Sequence, residues 1–300
     1  VLFFQVDAFT NQRFSGNPAG VVLHAEVLSD DEMAAIAREL NNADTAFVLP
    51  SDGPNHDLRM RFFTPRTEAG FVGHATIAAH FVLSRRGASS HVQRQKQKAG
   101  MVDVVIRGSD ENRRVAVRQP PPALGRELSE RERLAVLDAL ALSTGDLDTR
   151  CPLRICGTGG TRLMIGVRST DQLRTLKPDF QRLTTLSAQL GAQGHFVFTL
   201  RGAPDGCLTE SRMFCPVLGI PEDPVSGNAH GILGAYLIHH GLLERSGDAA
   251  SFSGAQGQFL QRPGRVECPH EPVGVTTEGR GTIEARETRR RGHQRRSSPV

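Results

Sequence analysis

Tryptophan is absent from this chain of 300 residues, and tyrosine occurs once. Phenylalanine still contributes 15 residues and the apolar fraction is 38%, which is enough for globular cores. No apolar run approaches the roughly 20 residues that a membrane-spanning helix needs. No charged-then-apolar leader opens the sequence either. We therefore expect a cytoplasmic protein with no membrane partner.

The sequence also lacks the spacings that mark disulfide frameworks and metal sites. The five cysteines are odd in number and form no Cys-x-x-Cys pair, so a reduced environment fits best. Most of them are expected to be structural, and Cys215, near a glycine-led loop, is the best candidate for a catalytic thiol. The histidines show no metal-ligand spacing, so no bound metal is predicted.

Positive charge is concentrated near the end of the chain. The net charge is +4, but residues 286–296 contain six arginines and a single acid, which leaves the rest of the chain close to neutral. Such a run can contact nucleic acid or an anionic surface. No aromatic residues interleave it and no nucleic-acid-reading module accompanies it. We expect a solvated or disordered tail and no nucleic-acid partner.

The most informative feature that is present is an internal repeat. Each half contains an Arg-x-Phe-x-Pro segment, then a glycine-led loop that opens an apolar helix. The copies are Arg61–Pro65 with Gly73–Ala75, and Arg212–Pro216 with Gly227–Ala229. Self-similarity on this scale constrains the architecture. It predicts two similar domains that face each other, with His74 from one and Asp223 from the other at the seam.

The segment Gln119-Pro120-Pro121-Pro122 predicts the boundary between these domains, because proline lacks an amide hydrogen and fixes φ. We expect an N-terminal lobe over residues 1–118 and a C-terminal lobe over residues 123–265. Residues 266–300, rich in proline, glutamate and arginine, are assigned to a divergent basic tail that can be disordered.

The order of predicted elements favours an α+β fold. Several adjacent strands lack helices between them, which argues against a doubly wound parallel sheet. We expect two similar domains, each a mostly antiparallel sheet curled around a central helix. Two capping boxes, Ser29 with Glu32 and Ser129 with Glu132, predict where two further helices begin.

The two glycine-led loops are candidate anion-binding sites. Glycine lets backbone N–H groups approach a ligand closely, and N–H groups at a helix N-terminus favour an anion. The candidate binding residues are Gly73, Ala75, Gly227 and Asn228. Two such termini in one cleft would bind a carboxylate and stabilise negative charge that develops during proton abstraction. The alternative is that the glycines only cap the helices.

Three titratable residues are candidate catalytic groups. His74 lies on the first turn of a helix, where a cation is unfavourable, so a neutral imidazole that relays protons is expected. Asp44, at a helix-to-strand junction, can act as a general base if the cleft raises its pKa. Asp223 precedes the second glycine loop and would face the substrate. Each also has a plainer interpretation as a residue bonded to local backbone in a cap or turn.

A glycine cluster at residues 157–161 has some features of a dinucleotide-binding loop. It lacks the full G-x-G-x-x-G pattern, the following helix and the acid about 20 residues later. No nicotinamide cofactor is predicted.

Five motifs follow each other in register between residue 3 and about residue 258. They are Val6–Phe9 with Gly16–Gly20, Asp44–Val48, Arg61–Pro65, Gly73–Thr76 and Glu222–Ala229. This set resembles the phenazine-biosynthesis (PhzF-like) isomerase family. The resemblance implies the diaminopimelate epimerase-like fold, with the active site between two similar lobes. It also implies an enzyme that uses no cofactor and pairs as a homodimer.

The resemblance also implies roles for individual residues. In the best-studied branch of the family, a glutamate moves a proton between two carbons with help from a histidine and an aspartate, and the matching positions here are Asp44, His74 and Asp223. Many members have Glu where this chain has Asp44, so the carboxylate here reaches one methylene less. Val72 stands where members often have Cys, and no thiol adjoins Gly227. Racemisation by a pair of thiols is therefore not expected.

The sequence thus favours a cofactor-independent isomerase of a small carboxylated metabolite that works by acid/base proton shuttling in the cleft. The alternative is a non-catalytic small-molecule binding or interaction protein that kept the fold. The shortened acid at position 44 and the unusual tail favour that alternative.

Overall fold

A computed structural model describes residues 1–87, 92–109, 112–157, 160–271 and 274–284. The arginine run of the predicted tail lies outside these ranges, and so do residues 158 and 159 of the glycine cluster. None of the helices within these ranges is long and apolar enough to cross a membrane.

The described residues form six α-helices and eighteen strands. The helices are α1 Asp30–Leu40, α2 Gly73–Arg85, α3 Glu130–Ala139, α4 Thr170–Thr175, α5 Phe180–Leu190 and α6 Gly227–His239. The strands are β1 Leu2–Ala8, β2 Asn17–Leu23, β3 Asp44–Pro50, β4 Leu58–Phe63, β5 Glu68–Ala69, β6 Val92–Gln97, β7 Gly100–Arg107, β8 Arg114–Gln119, β9 Leu124–Glu127, β10 Arg154–Cys156, β11 Arg162–Val167, β12 Gly194–Thr199, β13 Thr209–Cys215, β14 Ile220–Asp223, β15 Ala250–Gln256, β16 Gly264–Glu271, β17 Gly274–Gly279 and β18 Gly281–Glu284.

Both predicted capping boxes are present. Ser29 accepts a hydrogen bond from the backbone of Glu32, whose side chain in turn accepts from the Ser29 backbone, and Ser129 with Glu132 repeats the arrangement. Each box satisfies N–H groups that the first helical turn leaves without acceptors. This explains why α1 and α3 begin where the sequence predicted.

The first lobe is a curved sheet in the order β18-β1-β2-β3-β4-β6-β7-β8, with β5 paired to β4. Within its described residues, the parallel pairs are β2–β3 and β4–β6, and a helix connects each of them. One of these helices, α2, contacts strands β1, β2, β3, β7 and β8 and buries nine of its thirteen residues. It is therefore the central helix of this lobe.

The second lobe repeats this topology. Its order is β17-β16-β15-β13-β12-β11-β10-β9, with β14 paired to β13. Its parallel pairs, β11–β12 and β13–β15, are again bridged by helices, and α6 takes the place of α2. The predicted α+β class, with a mostly antiparallel sheet around a helix in each half, is confirmed.

The duplicated Arg-x-Phe-x-Pro segments make the same local contacts. Arg61 Nε donates to Glu68 at 2.8 Å, and Arg212 Nε donates to Glu222 at 2.8 Å. Each guanidinium also lies over the phenylalanine ring two residues further on, at 5.0 Å and 5.1 Å from the ring centre. The motif thus fixes the turn that precedes each glycine-led helix.

Pairing between strands of different lobes connects the two lobes at the seam. Strand β8 of the first lobe pairs antiparallel with β17, so that Val117 lies opposite Thr277. After β17 the chain returns to the first lobe, where β18 pairs antiparallel with β1. Helices α2 and α6 also contact each other, and their apolar side chains belong to one continuous core.

The region after residue 265 differs from the predicted divergent tail. Strands β16, β17 and β18 extend the sheets as far as residue 284, and the last of them belongs to the first lobe. These strands were not predicted because some of their buried side chains are polar and so do not give the apolar alternation of a strand. Thr277 and Glu278, for example, are only 1% and 5% exposed. Strand β17 is instead held by backbone pairing with a strand on each side, β16 and β8, and this pairing leaves no apolar periodicity in the sequence. The lobe boundaries 1–118 and 123–265 stay a prediction.

Candidate active site

The three candidate catalytic residues lie at the ends of elements from both lobes. Asp44 is the first residue of β3, His74 is the second residue of α2, and Asp223 is the last residue of β14. His74 Nε2 lies 3.8 Å from Asp44 Oδ2, which is longer than a hydrogen bond. Asp223 is close enough for its negative charge to raise the pKa of Asp44. The fold therefore brings together residues that are up to 179 positions apart in the chain.

The two carboxyl groups titrate near neutral pH. Burial raises the pKa of Asp44 to about 7, and the charge of Asp223 adds to this effect. Burial also raises the pKa of Asp223 to about 6, against the opposing effects of Arg162 and Asn17. Two acids that share one desolvated site hold a proton at a pH where exposed aspartates are ionised.

His74 is neutral in this environment. Burial lowers the pKa of its imidazole to about 4. Its Nε2 atom is buried and has no hydrogen-bond partner among the described residues. A neutral imidazole with an unused nitrogen can donate to or accept from a ligand.

The start of α2 leaves backbone N–H groups unused. The residue before the helix is Val72, whose side chain cannot cap it, and the first helical bond runs from Thr76 N to Val72 O. The N–H groups of Gly73, His74 and Ala75 lie before the first N–H donor of the helical ladder, Thr76 N, so they have no acceptor within the helix. Ser or Asp at the capping position would stabilise a helix by about 1 kcal/mol. With valine at this position, the backbone N–H groups of the first turn have no side-chain cap and can bind a ligand.

The start of α6 is more crowded. Ser226 caps this helix by accepting from Ala229 N at 3.3 Å. A Cβ added to Gly227 would lie 2.9 Å from the ring of Phe9 and 3.3 Å from Thr277 Oγ1, so a larger residue here would force these side chains to move. Asn228 donates to a glutamine of β8, while its own Oδ1 is buried without a partner in the described part of the chain.

The structure adds a residue to which the sequence assigned no role. Asn17 is fully buried, and its side-chain amide donates to Asp223 Oδ1 at 2.7 Å and to Val225 O at 2.8 Å. A polar residue inside the Gly16–Gly20 turn was the available signal. Its partner is 206 positions away, and only the folded chain reveals it.

Cys215 does not provide an activated thiol. It is 2% exposed, and burial raises its pKa to about 12, with a further contribution from the charge of Asp223. A thiolate is the reactive form of cysteine, and this surrounding disfavours it. The described residues also contain no group of three or more side chains that could hold a metal ion.

The raised pKa of Asp44 predicts that the site destabilises the fold at alkaline pH. The folded pKa of about 7 lies above the unfolded value of about 4, so the folded state binds the proton between these limits. Stability is therefore lost as pH rises through this window, by on the order of 4 kcal/mol. We expect Asp44→Asn to have a higher melting temperature than the wild type at pH 8 and a similar one at pH 4. Calorimetry at both pH values checks this, and a variant that is less stable at pH 8 contradicts it.

Comparison with known proteins identifies the family. The family model for phenazine biosynthesis-like proteins (PhzC-PhzF) matches residues 6–286. The chain belongs to this family. It is 39% identical over 286 residues to a protein of Salmonella typhimurium named uncharacterized isomerase YddE, which covers 93% of this chain and 95% of that protein. An isomerase of Clostridium acetobutylicum is 37% identical over 287 residues, with the same coverage of both chains.

Solved structures agree with this assignment. A PhzF-family phenazine biosynthesis protein of Bacillus anthracis superposes with a TM-score of 0.84 at 27% identity, covering 95% of this chain and 98% of that one. A protein of Pseudomonas aeruginosa described as a predicted epimerase superposes with a TM-score of 0.79 at 27% identity, covering 95% of this chain and 97% of that one. A hydroxyproline epimerase of Agrobacterium vitis, at 13% identity, 0.60 and coverage of 95% and 91%, shows the fold alone. The predicted family and fold are confirmed, and so is the prediction that the protein is an isomerase.

Proposed function

We propose that the protein is a cofactor-independent isomerase of a small carboxylated metabolite, acting by proton transfer in the cleft between its lobes. The observation that carries this proposal is that Asp44 lies 3.8 Å from the imidazole of His74, on the first turn of α2, and also within reach of the charge of Asp223. Burial raises the pKa of Asp44 to about 7 and that of Asp223 to about 6, which is the range in which a side chain can both take and return a proton.

Asp44 is the proposed general base. In its ionised form it removes a proton from a carbon next to a carbonyl or conjugated system, and the same carboxyl returns the proton to another carbon. Its raised pKa makes it a stronger base than an exposed aspartate, while at pH 7 a large fraction remains ionised.

His74 and Asp223 are the proposed relay and orienting groups. The imidazole is neutral before and after the reaction, because burial holds its pKa near 4. Its Nε2 has no partner among the described residues and lies 3.8 Å from Asp44 Oδ2, so the proposal has one substrate atom contact both groups. Asp223, from the second lobe, is near enough for its charge to act on Asp44.

The substrate carboxylate is proposed to bind at the helix N-termini. Two acids make the site electronegative, so an anionic substrate needs compensating donors. The N–H groups of Gly73 and Ala75 on α2, with those of Gly227 and Asn228 on α6, are the donors that helix geometry leaves free. The same donors would stabilise the enolate-like charge that follows proton removal. The expected homodimer and cytoplasmic location stay predictions.

Solvent exchange tests the proposed reaction. Small carboxylic acids with a carbon-bound hydrogen next to a carbonyl or a double bond are incubated with the enzyme in deuterium oxide and analysed by mass spectrometry. We expect deuterium incorporation into at least one of them. Tight binding across the panel without incorporation would instead support a protein that only binds such acids.

A further inference from the structure

We infer that Asn17 is a positioning residue that orients the carboxylate of Asp223 across the seam between the lobes. Asn17 opens β2 of the first lobe, whereas Asp223 closes β14 of the second. The inference deepens the proposed function and rests on it, since Asp223 is taken there as a proton-transfer group.

Both hydrogen bonds that the Asn17 side chain makes go to the second lobe, and its Oδ1 atom has no partner among the described residues. One amide hydrogen goes to Asp223 Oδ1 at 2.7 Å and the other to Val225 O at 2.8 Å. Asn17 is 0% exposed, so water cannot replace either bond. A buried donor to a carboxylate is a charge-assisted bond of the stronger kind.

The orientation of the amide is fixed by its surroundings. Both neighbours are acceptors, a carboxylate oxygen and a backbone carbonyl oxygen. If the amide were reversed, Asn17 Oδ1 would face two acceptors instead of donating to them. The hydrogen bonds therefore exist only with the nitrogen toward Asp223 and Val225.

A second side chain holds the same segment from another direction. Gln256 Nε2 donates to the backbone oxygen of Asp223 at 2.6 Å, and its Oε1 accepts from Ser226 N at 3.0 Å. Gln256 therefore fixes the backbone of the turn, whereas Asn17 also contacts the carboxylate. Gln256 thus supports the local fold, whereas Asn17 also positions the carboxylate that is proposed to transfer a proton.

Asn17 also acts on the protonation of Asp223. Burial is the main cause that raises the pKa of Asp223, and the hydrogen bond from Asn17 opposes it because it favours the ionised form. The charged and titratable groups that act on Asp223 or respond to it are Asp44 on β3, Arg162 on β11, Cys215 on β13 and Glu222 on β14. Among the groups that act on Asp223, Asn17 is the neutral donor contributed by the first lobe.

The first test uses the wild-type protein. The side-chain ¹⁵N–¹H signals of Asn17 are followed by NMR from pH 4 to pH 9, without substrate. We expect them to shift with the pH titration of the Asp223 carboxyl, which is followed in the same sample after ¹³C labelling of aspartate. The shift should be absent in Asp223→Asn. Asn17 signals that ignore the titration of Asp223 would overturn the inference.

The second test compares variants. Asn17→Ser and Asn17→Ala are expected to raise the pKa of Asp223 by about one unit, since a hydrogen bond to the ionised form is lost. They should lower kcat about tenfold or more with a smaller change in KM. Gln256→Leu is the matched control, because it loosens the same turn but leaves the carboxylate contact. Equal pKa shifts in the control and the Asn17 variants, or no shift in either, would show that Asn17 has only a structural role.

The two measurements separate this inference from the proposed function. The NMR titrations need no turnover and report on the Asn17–Asp223 contact even if no substrate is isomerised. If the titrations behave as expected but no panel acid exchanges deuterium, the contact stands and the proposed reaction fails. If exchange occurs but Asn17 has no effect on Asp223, only the positioning role fails.

Discussion

Asp44→Asn is expected to lower turnover by about 10²–10⁴-fold, which is the usual contribution of a general acid or base. The amide is close in size to the carboxylate but cannot accept a proton. Substrate affinity should be unchanged or increased, because the variant removes a negative charge from a site that binds an anion. Steady-state kinetics measure kcat, and calorimetric titration with the best acid of the deuterium panel measures binding.

A matched control distinguishes loss of the base from loss of a buried charge. Glu210 on β13 is 6% exposed and also has a pKa raised by burial, but it makes no contact with Asp44, His74 or Asp223 that the structure records. Glu210→Gln should keep turnover within a few-fold of the wild type. Turnover of Asp44→Asn equal to that of this control would remove Asp44 from the mechanism.

The two-lobe architecture could be predicted from the sequence because the same motifs occur in both halves of the chain. The Arg-x-Phe-x-Pro motif is a local device, in which the arginine contacts a glutamate and a phenylalanine within ten positions, so its sequence spacing survives. The capping boxes are local in the same way. Strands β16–β18 gave no such signal. Strand β16 pairs with its neighbours in the chain, but β17 also pairs with β8 and β18 with β1, both in the first lobe, and the buried side chains of β17 include Thr277 and Glu278.

In the candidate site, too, the features that depend on local sequence could be predicted and those that depend on long-range contacts could not. Asp44, His74 and Asp223 each lie at the end of an element, and the sequence could mark them individually. Their coupling could not be read from spacing, since the pKa of Asp44 depends on a carboxylate in the other lobe. The contact of Asn17 with Asp223 is equally long-range. Polar interactions across a seam leave no periodicity in either segment, so only the folded chain identifies the partners.

The pH profile of turnover provides the second large effect. A base must be ionised to act, so turnover should rise with pH through the pKa of Asp44, near 7, and not near 4 where an exposed aspartate titrates. His74 adds no limb in this range, because its pKa lies near 4. The profile of kcat/KM between pH 4 and pH 9 measures the position of the limb.

Replacing Asp223 separates the two causes that raise the pKa of Asp44. Asp223→Asn removes the neighbouring negative charge but leaves the burial, which is the larger cause. The limb should therefore move to lower pH yet stay above the value of an exposed aspartate, while turnover itself falls by about 10²-fold or more because a proton-transfer group is lost. The position of the limb does not depend on its height, so it can be measured in a slow variant. A limb that stays in place or moves to higher pH in Asp223→Asn would mean that the two carboxylates do not share one site, and the proposed division of labour between the lobes would not hold.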